Sequence, residues 1–537
     1  MITGKDTFAL DKPIKKFINS VVEPFQKKNP QSQNFNTPTN PNSSIDYLPF
    51  ILLGIIGIAY SLLHTNFNIY YEDDSWTLSN AWNYTVLGVD HDLTFLDQDG
   101  AFTGQLFGKL YFHLCGAFLN IFGWTKSNAF IFNSGLIMIA AVVWHYILRE
   151  LPFSKRTTQI LPFFIALMPP VFFAAHTGRT DAFTFLLMSI GIYLFVKKKY
   201  IPAGVIAILA MESHIMGLIT LFYYLAHFLS ENLSSKHFSN KKEMTRWIRS
   251  NTPMALKSMA GIIIGSAIYL ALHWKTFDIS ILSEMIVSKA DMVSPVNNYI
   301  LAYFSDFDWI HHIPEFFLLF GTLFVYFRHK IYRENKFLFV LMVVLFISTL
   351  ITRRENRNYF VFLTPALLMF YFYTYEQLGK AKGFMTSLTA ICVLYFSTVY
   401  YSNHDYKFDQ FVNFVRSNTT KSELPVVGMP DVWFAAYDKE YYPIHNERDF
   451  NKIDLEEFYL VETDFLARRS RVYRDVKNNI YSNYDCDKIA EWDTYNNNKA
   501  AICHCKNDGQ PNVDIIYKPY PGWQNVIKQF MPSASLK

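Results

Sequence analysis

From residue 47 to residue 401 the chain alternates between apolar stretches and short polar junctions rich in Lys, Arg or Asp. The longer stretches reach about twenty residues, enough as a helix for roughly 30 Å of hydrocarbon, so the pattern predicts membrane spans. They fall at 47–64, 127–148, 159–175, 182–196, 200–213, 214–229, 256–272, 315–327, 337–351, 359–375 and 384–401. A further apolar segment, 105–123, is interrupted by Lys109 and His113. Residues 1–46 are polar and end in a Ser, Asn, Gln and Pro-rich run, which reads as a flexible tail. Residues 402–537 are rich in Asn, Asp, Lys and Tyr and contain no apolar run of spanning length. A helical pattern over Phe408 to Arg416 and the strand-like Leu424-Pro425-Val426-Val427-Gly428 predict a small α/β domain there.

Positive charge fixes the orientation, because short cytoplasmic loops carry excess Lys and Arg. With 105–123 lying in the interface and the N-terminus inside, eighteen basic residues face the cytoplasm, including Lys197 to Lys199, Lys241, Lys242, Arg246 and Arg249. Eight then face outward: Lys109, Lys126, Arg179, Lys275, Lys289, Arg353, Arg354 and Arg357. Counting 105–123 as a crossing reverses that bias, so it is read as an interfacial helix. The expected fold is a multi-pass α-helical membrane protein of about 11 transmembrane helices. It divides into a cytoplasmic tail, 1–46, a membrane domain, 47–401, with a first outer loop at 65–126, and an extracytoplasmic domain, 402–537.

Composition narrows the function. With 51% hydrophobic and 18% charged residues among 537, the chain is not a disordered or solvating segment. A net charge of +4, spread among the loops, does not favour nucleic-acid binding. The 50 Phe, 34 Tyr and 10 Trp suit a lipid-facing surface with interfacial anchors. No secretory signal opens the chain, so the first span is expected to be an uncleaved anchor. Of five cysteines, Cys115 and Cys392 lie in apolar segments, while Cys486 is expected to pair with Cys503 or Cys505 in an oxidising compartment.

Polar residues gather at a few predicted outer junctions. Glu72-Asp73-Asp74 directly follows the first span, and repulsion between adjacent carboxylates raises the affinity of one for a proton, as a general base requires. His176, Arg179 and Asp181 fill a tight turn, and Glu212-Ser213-His214 joins two apolar segments. Ionisable groups so close to hydrocarbon are costly and point to function. Arg353, Arg354 and Arg357, with Tyr359, break the positive-inside trend, and lipid phosphate is the abundant anion nearby. For each cluster there is a plain structural alternative: acidic outer loops, helix capping, a packed histidine, headgroup anchoring. Carboxylates and cations on one side are what transfer of a sugar from a polyprenyl phosphate requires, one to deprotonate the acceptor and the other to stabilise the departing phosphate.

The acidic pair after the first span, with Ala81 and Gly88 beyond it, resembles the pattern of the bacterial protein-mannosyltransferase-like glycosyltransferases of the GT-C fold class. That family includes the protein O-mannosyltransferases and the aminoarabinose transferase of lipid A. Phe122-Gly123-Trp124, Tyr146 to Arg149, Pro169-Pro170, Arg179-Thr180-Asp181 and Arg357-Asn358-Tyr359 followed by Pro365 are similar to further family motifs. The resemblance spans roughly 47–400 and implies Asp73 as the base, with Asp74 where the family usually has Glu. It also implies that Lys109 contacts donor phosphate, although Thr103-Gly104-Gln105 stands where the family commonly has prolines.

The expected activity is an inverting glycosyltransferase that moves a sugar from a polyprenyl-phosphate donor to a lipid, glycan or protein acceptor on the outer face of a bacterial inner membrane. Asp73 and Asp74 are its catalytic candidates. Lys109, Arg354, Arg357 and Tyr359 are the candidates for donor phosphate, and Glu72, His176, Arg179, Asp181 and His214 for substrate. No cofactor is expected; a divalent metal is conceivable from the carboxylates but not favoured, because Arg and Lys suffice for a monophosphate donor. The alternatives are an oligosaccharide-transferring enzyme of the same fold, and a secondary transporter, against which the missing internal repeats argue.

Overall fold

The computed structural model describes residues 47–64, 72–88, 107–151, 153–232, 241–274, 309–333, 335–352, 360–403, 408–420, 422–444, 455–463, 480–493 and 499–507. The chain is mostly helical, with a small sheet near its C-terminus. In order come α1 (Leu48–His64), α2 (Glu72–Trp82), α3 (Lys109–Phe122), α4 (Lys126–Glu150), α5 (Lys155–Leu167), α6 (Pro169–Ala175), α7 (Asp181–Val196), α8 (Tyr200–Ser213) and α9 (Ile219–Asn232). They are followed by α10 (Lys241–His273), α11 (Trp309–Arg328), α12 (Lys336–Thr352), α13 (Phe360–Gln377), α14 (Ala381–Asn403) and α15 (Phe408–Thr419).

Local chemistry sets several of these boundaries. The Thr125 hydroxyl accepts from the Asn128 amide at 3.2 Å and caps α4, and Ser154 caps α5 through Thr157 N at 3.2 Å. Pro169 and Pro170 cannot continue α5, which breaks at Met168 and turns by 60° into α6. Small residues let α8 and α10 touch: a Cβ on Gly204 would lie 2.6 Å from Ser258 O, and one on Gly261 would lie 2.1 Å from Ile201 O. The core between the helices is aromatic and aliphatic, built around Tyr60, Trp144, Phe172, Phe185, Phe362 and Phe370.

Eleven spans are expected; among the described residues two helices are long and apolar enough to cross a bilayer, Lys126–Glu150 and Lys242–His273. Counting the bent α5–α6 pair as one span makes three. Length accounts for α7 and α8, whose 16 and 14 residues rise about 20–24 Å, short of the hydrocarbon core. The predicted segments are nonetheless helical nearly residue for residue, and 105–123 yields α3. The sequence pattern missed most at α10, where only 256–272 stood out, because Lys242, Arg246 and Arg249 make its first turns polar.

The bundle has two ends. At one, Lys197 at the close of α7 pairs with Glu150 of α4 at 2.7 Å, and Thr157 of α5 donates to Glu376 of α13 at 3.0 Å. At the other lie the end of α8 and the starts of α2, α3, α4 and α7. The sheet orders its strands β2-β1-β3-β5-β4, from β1 (Val426–Gly428), β2 (Tyr441–Pro443), β3 (Glu457–Thr463), β4 (Tyr484–Asp493) and β5 (Lys499–Asn507). Cys486 faces Cys505 across antiparallel β4 and β5, and these two form the disulfide; Cys503 is buried outside that crosslink, with its Sγ 3.3 Å from the Tyr481 hydroxyl.

Candidate functional site

The second end of the bundle collects most of the described ionisable residues singled out in the sequence. Asp74, in the first turn of α2, is fully buried, and its Oδ1 accepts the Gly178 amide at 2.7 Å. Glycine permits this approach, since a Cβ at 178 would sit 3.1 Å from the Leu78 side chain and 3.4 Å from Asp74 Cα. The turn carrying Gly178 is fastened from two helices. Tyr111 of α3 donates its hydroxyl to Gly178 O at 2.8 Å, and the Asn133 amide of α4 donates to Thr177 O and, at 3.1 Å, to Arg179 O. Arg179 pairs with Asp181 through Nε at 2.8 Å, with both side chains nearly buried. His176 donates Nδ1 to Phe172 O at 2.8 Å and packs against the Tyr60 and Phe172 rings, so this histidine is part of the core.

A second group joins α3, α8 and α10. Gly108 precedes Lys109 at φ +89°, a left-handed conformation that glycine adopts without strain, and its amide donates to Glu212 O at 2.6 Å. Glu212 and His273 are both fully buried and pair at 3.1 Å through His273 Nε2. Among the described residues Glu212 Oε2 has no hydrogen-bond partner. Lys109 is 1% exposed; its Nζ donates to Leu272 O at 3.3 Å and lies 5.5 Å from the centre of the Tyr84 ring. A lysine, a carboxylate and an imidazole, all buried where these helices meet, are a costly arrangement in an apolar bundle. His214 accepts the Met216 amide at Nδ1, 3.1 Å, and stacks on Phe362 near the start of α13.

A third group ties this end to the C-terminal sheet. Lys126, 2% exposed, lies between the rings of Phe130 and Phe408, 5.1 and 4.8 Å from their centres. Its charge interacts with Asp74, Asp409 and Asp431. Ser127 donates to Asp409 Oδ2 at 3.2 Å, and Trp82 meets Trp124 and Tyr437 edge-on at 4.9 and 4.7 Å. Burial pushes the Asp431 carboxyl up to about 7; the amides of Asp431 and Val432, Lys126 and Thr463 pull in the opposite direction.

Asp74, Lys109, His176, Arg179, Asp181 and His214 are thus brought to one end of the bundle. The backbone of Glu72 and Asp73 opens α2, but their side chains lie outside the described residues, as do Arg354, Arg357 and Tyr359. Sequence reading missed Lys126, His273 and Asp431. Lys126 looked like one more loop charge, His273 meets Glu212 from a helix 61 residues away, and Asp431 is set by burial together with Lys126 of α4 and Thr463 of β3. Among the described residues no group of three His, Cys, Asp or Glu is placed to hold a metal ion. The chain matches no protein-family model and no curated protein.

Proposed function

We propose that the chain is an integral membrane glycosyltransferase with a GT-C-like arrangement of about eleven spans, acting on the outer face of a bacterial inner membrane. It would transfer a sugar from a polyprenyl phosphate to a lipid, glycan or protein. The observation that carries this reading is the gathering of Asp74, Lys109, Arg179, Asp181, Glu212 and His273 at one end of an apolar bundle. That end carries the seam with the C-terminal sheet. The membrane part of the reading rests on the apolar side chains turned outward on α1, α10, α11 and α14, such as Ile58, Ile263, Phe324 and Leu394, each more than 60% exposed.

In this reaction the acceptor oxygen attacks the anomeric carbon from the face opposite the phosphate. The bond from that carbon to the phosphate oxygen breaks, the electron pair leaves with the phosphate, and the hydroxyl proton passes to a carboxylate. Asp74 is anchored by Gly178 N and suits a positioning role, with Asp73 beside it as the base. Lys109, Arg354 and Arg357 would balance the charge on the leaving phosphate.

The test is to replace Asp73 and Asp74 separately by Asn and to follow the outer glycans and lipid A by mass spectrometry. The side-chain carbonyl introduced by Asp74→Asn can still accept from the Gly178 amide, so that substitution removes charge and keeps geometry. Loss of one defined sugar mass at unchanged protein level is expected, with turnover reduced about 10²–10⁴-fold at the base. Unchanged glycans in both variants would overturn the carboxylate mechanism.

A further inference from the structure

The first half of α10 and the cleft beside it form a surface that the proposed reaction does not use. Lys242, Arg246 and Arg249 recur at i, i+4 and i+7, share one face and are all exposed. With Thr245 they line a depression of about 580 Å³. Glu243 offsets one of these charges by pairing with Arg246 at 2.7 Å, which leaves a positive excess. Further along the same outward face the residues become apolar: Leu256, Met259 and Ile263 are 64%, 55% and 62% exposed.

Next to the basic face lies a cleft of about 430 Å³ between α9 and α10, with Phe195 of α7 and Gly204 of α8 also lining it. Its walls are almost wholly apolar, with Phe228, Trp247 and Met254 prominent. The Trp247 indole donates to Asn232 O at 2.8 Å and its ring lies 5.9 Å from Phe228, which joins α10 to the end of α9. The two surfaces meet directly, because Thr245 adjoins Ile248, and Arg249 adjoins Thr252, each pair three residues apart on the helix.

We infer that this is a binding site for an anionic phospholipid, with the headgroup phosphate on Lys242, Arg246 and Arg249 and one acyl chain in the cleft. The inference rests on the membrane part of the proposed reading but not on the transferase chemistry. Charge complementarity selects the occupant. A neutral lipid leaves the basic face unanswered, whereas a soluble anion leaves the apolar cleft exposed to water. The site lies towards the bundle end that carries Lys197, Lys198 and Lys199, where an anionic leaflet is the fitting surface.

The experiment uses the full chain purified in detergent and offered equal amounts of phosphatidylglycerol and phosphatidylcholine with identical acyl chains. Retained lipid is counted by native mass spectrometry. The wild type is expected to hold phosphatidylglycerol at least about tenfold more strongly. The surface variant K242Q/R246Q/R249Q should lose that preference while keeping phosphatidylcholine, and Ala255→Trp, which fills the cleft, should lower retention of both. Equal retention of the two lipids by the wild type, or undiminished preference in the triple variant, overturns the site. Release of the chain from membranes by a carbonate wash would overturn the spanning reading and this site with it. Unchanged glycans in the Asp73 and Asp74 variants would overturn only the transferase.

Discussion

Asp74 and Asp431 are both buried carboxylates, and the protein holds them differently. Asp74 has a backbone amide dedicated to it at 2.7 Å, whereas the apolar surroundings of Asp431 outweigh its hydrogen bonds. The consequence is a pH-dependent stability with a definite sign. Between the ordinary carboxylate value of 3.8 and about 7, the folded Asp431 keeps a proton that the unfolded chain has released. Stability therefore falls as pH rises through that window and levels off above it. Thermal unfolding of wild type and Asp431→Asn at pH 5 and pH 8 checks this: the wild type should lose a few °C more than the variant, and parallel losses would contradict it. The candidates legible in the sequence were those that stand out from an apolar background, such as Asp74, Lys109 and His214. Lys126 and Asp431 did not stand out, because each acquires meaning only from a partner that the fold brings from far along the chain.

At the level of elements, the apolar periodicity located the helices well and their lengths poorly. Segment 159–175 is a single apolar run in sequence, yet the Pro169-Pro170 pair turns it by 60°. Segment 256–272 is only the apolar half of a 33-residue helix. The sheet was announced by little more than residues 424–428, since β3, β4 and β5 pair across segments that no local pattern connects. The cysteine partner of Cys486 was open between two candidates, and antiparallel register decides it by setting Cys486 opposite Cys505 and Lys488 opposite Cys503. The crosslink closes a separation of 19 residues, for which chain entropy gives about 3 kcal/mol. Cys505→Ser should lower the urea stability of the sheet by about that amount, read from protease resistance of the C-terminal part, and an unchanged midpoint would refute it.

The whole molecule is polarised. Basic residues such as Lys155, Lys197 and Lys382 belong to one end, and the buried acid and lysine cluster with the sheet to the other. If the bundle crosses a membrane with the sheet outside, an impermeant maleimide should label Glu440→Cys in intact cells and Lys382→Cys only after lysis. The reverse pattern, or labelling of both, would refute the orientation.

The lysine at the seam also bears on how the protein is made. Ser127 and Asp409 are 282 residues apart, and Phe408 and Asp431 reach Lys126 only after the entire bundle has been synthesised. Until then the start of α4 carries a cation lacking one of its two flanking rings and two of its carboxylates. A nascent or truncated chain thus presents Lys126 with one of its two rings, Phe130, and one of its three acidic neighbours, Asp74, until the C-terminal segment arrives. Completion of synthesis is in this way written into the electrostatics of a helix that emerged near the beginning.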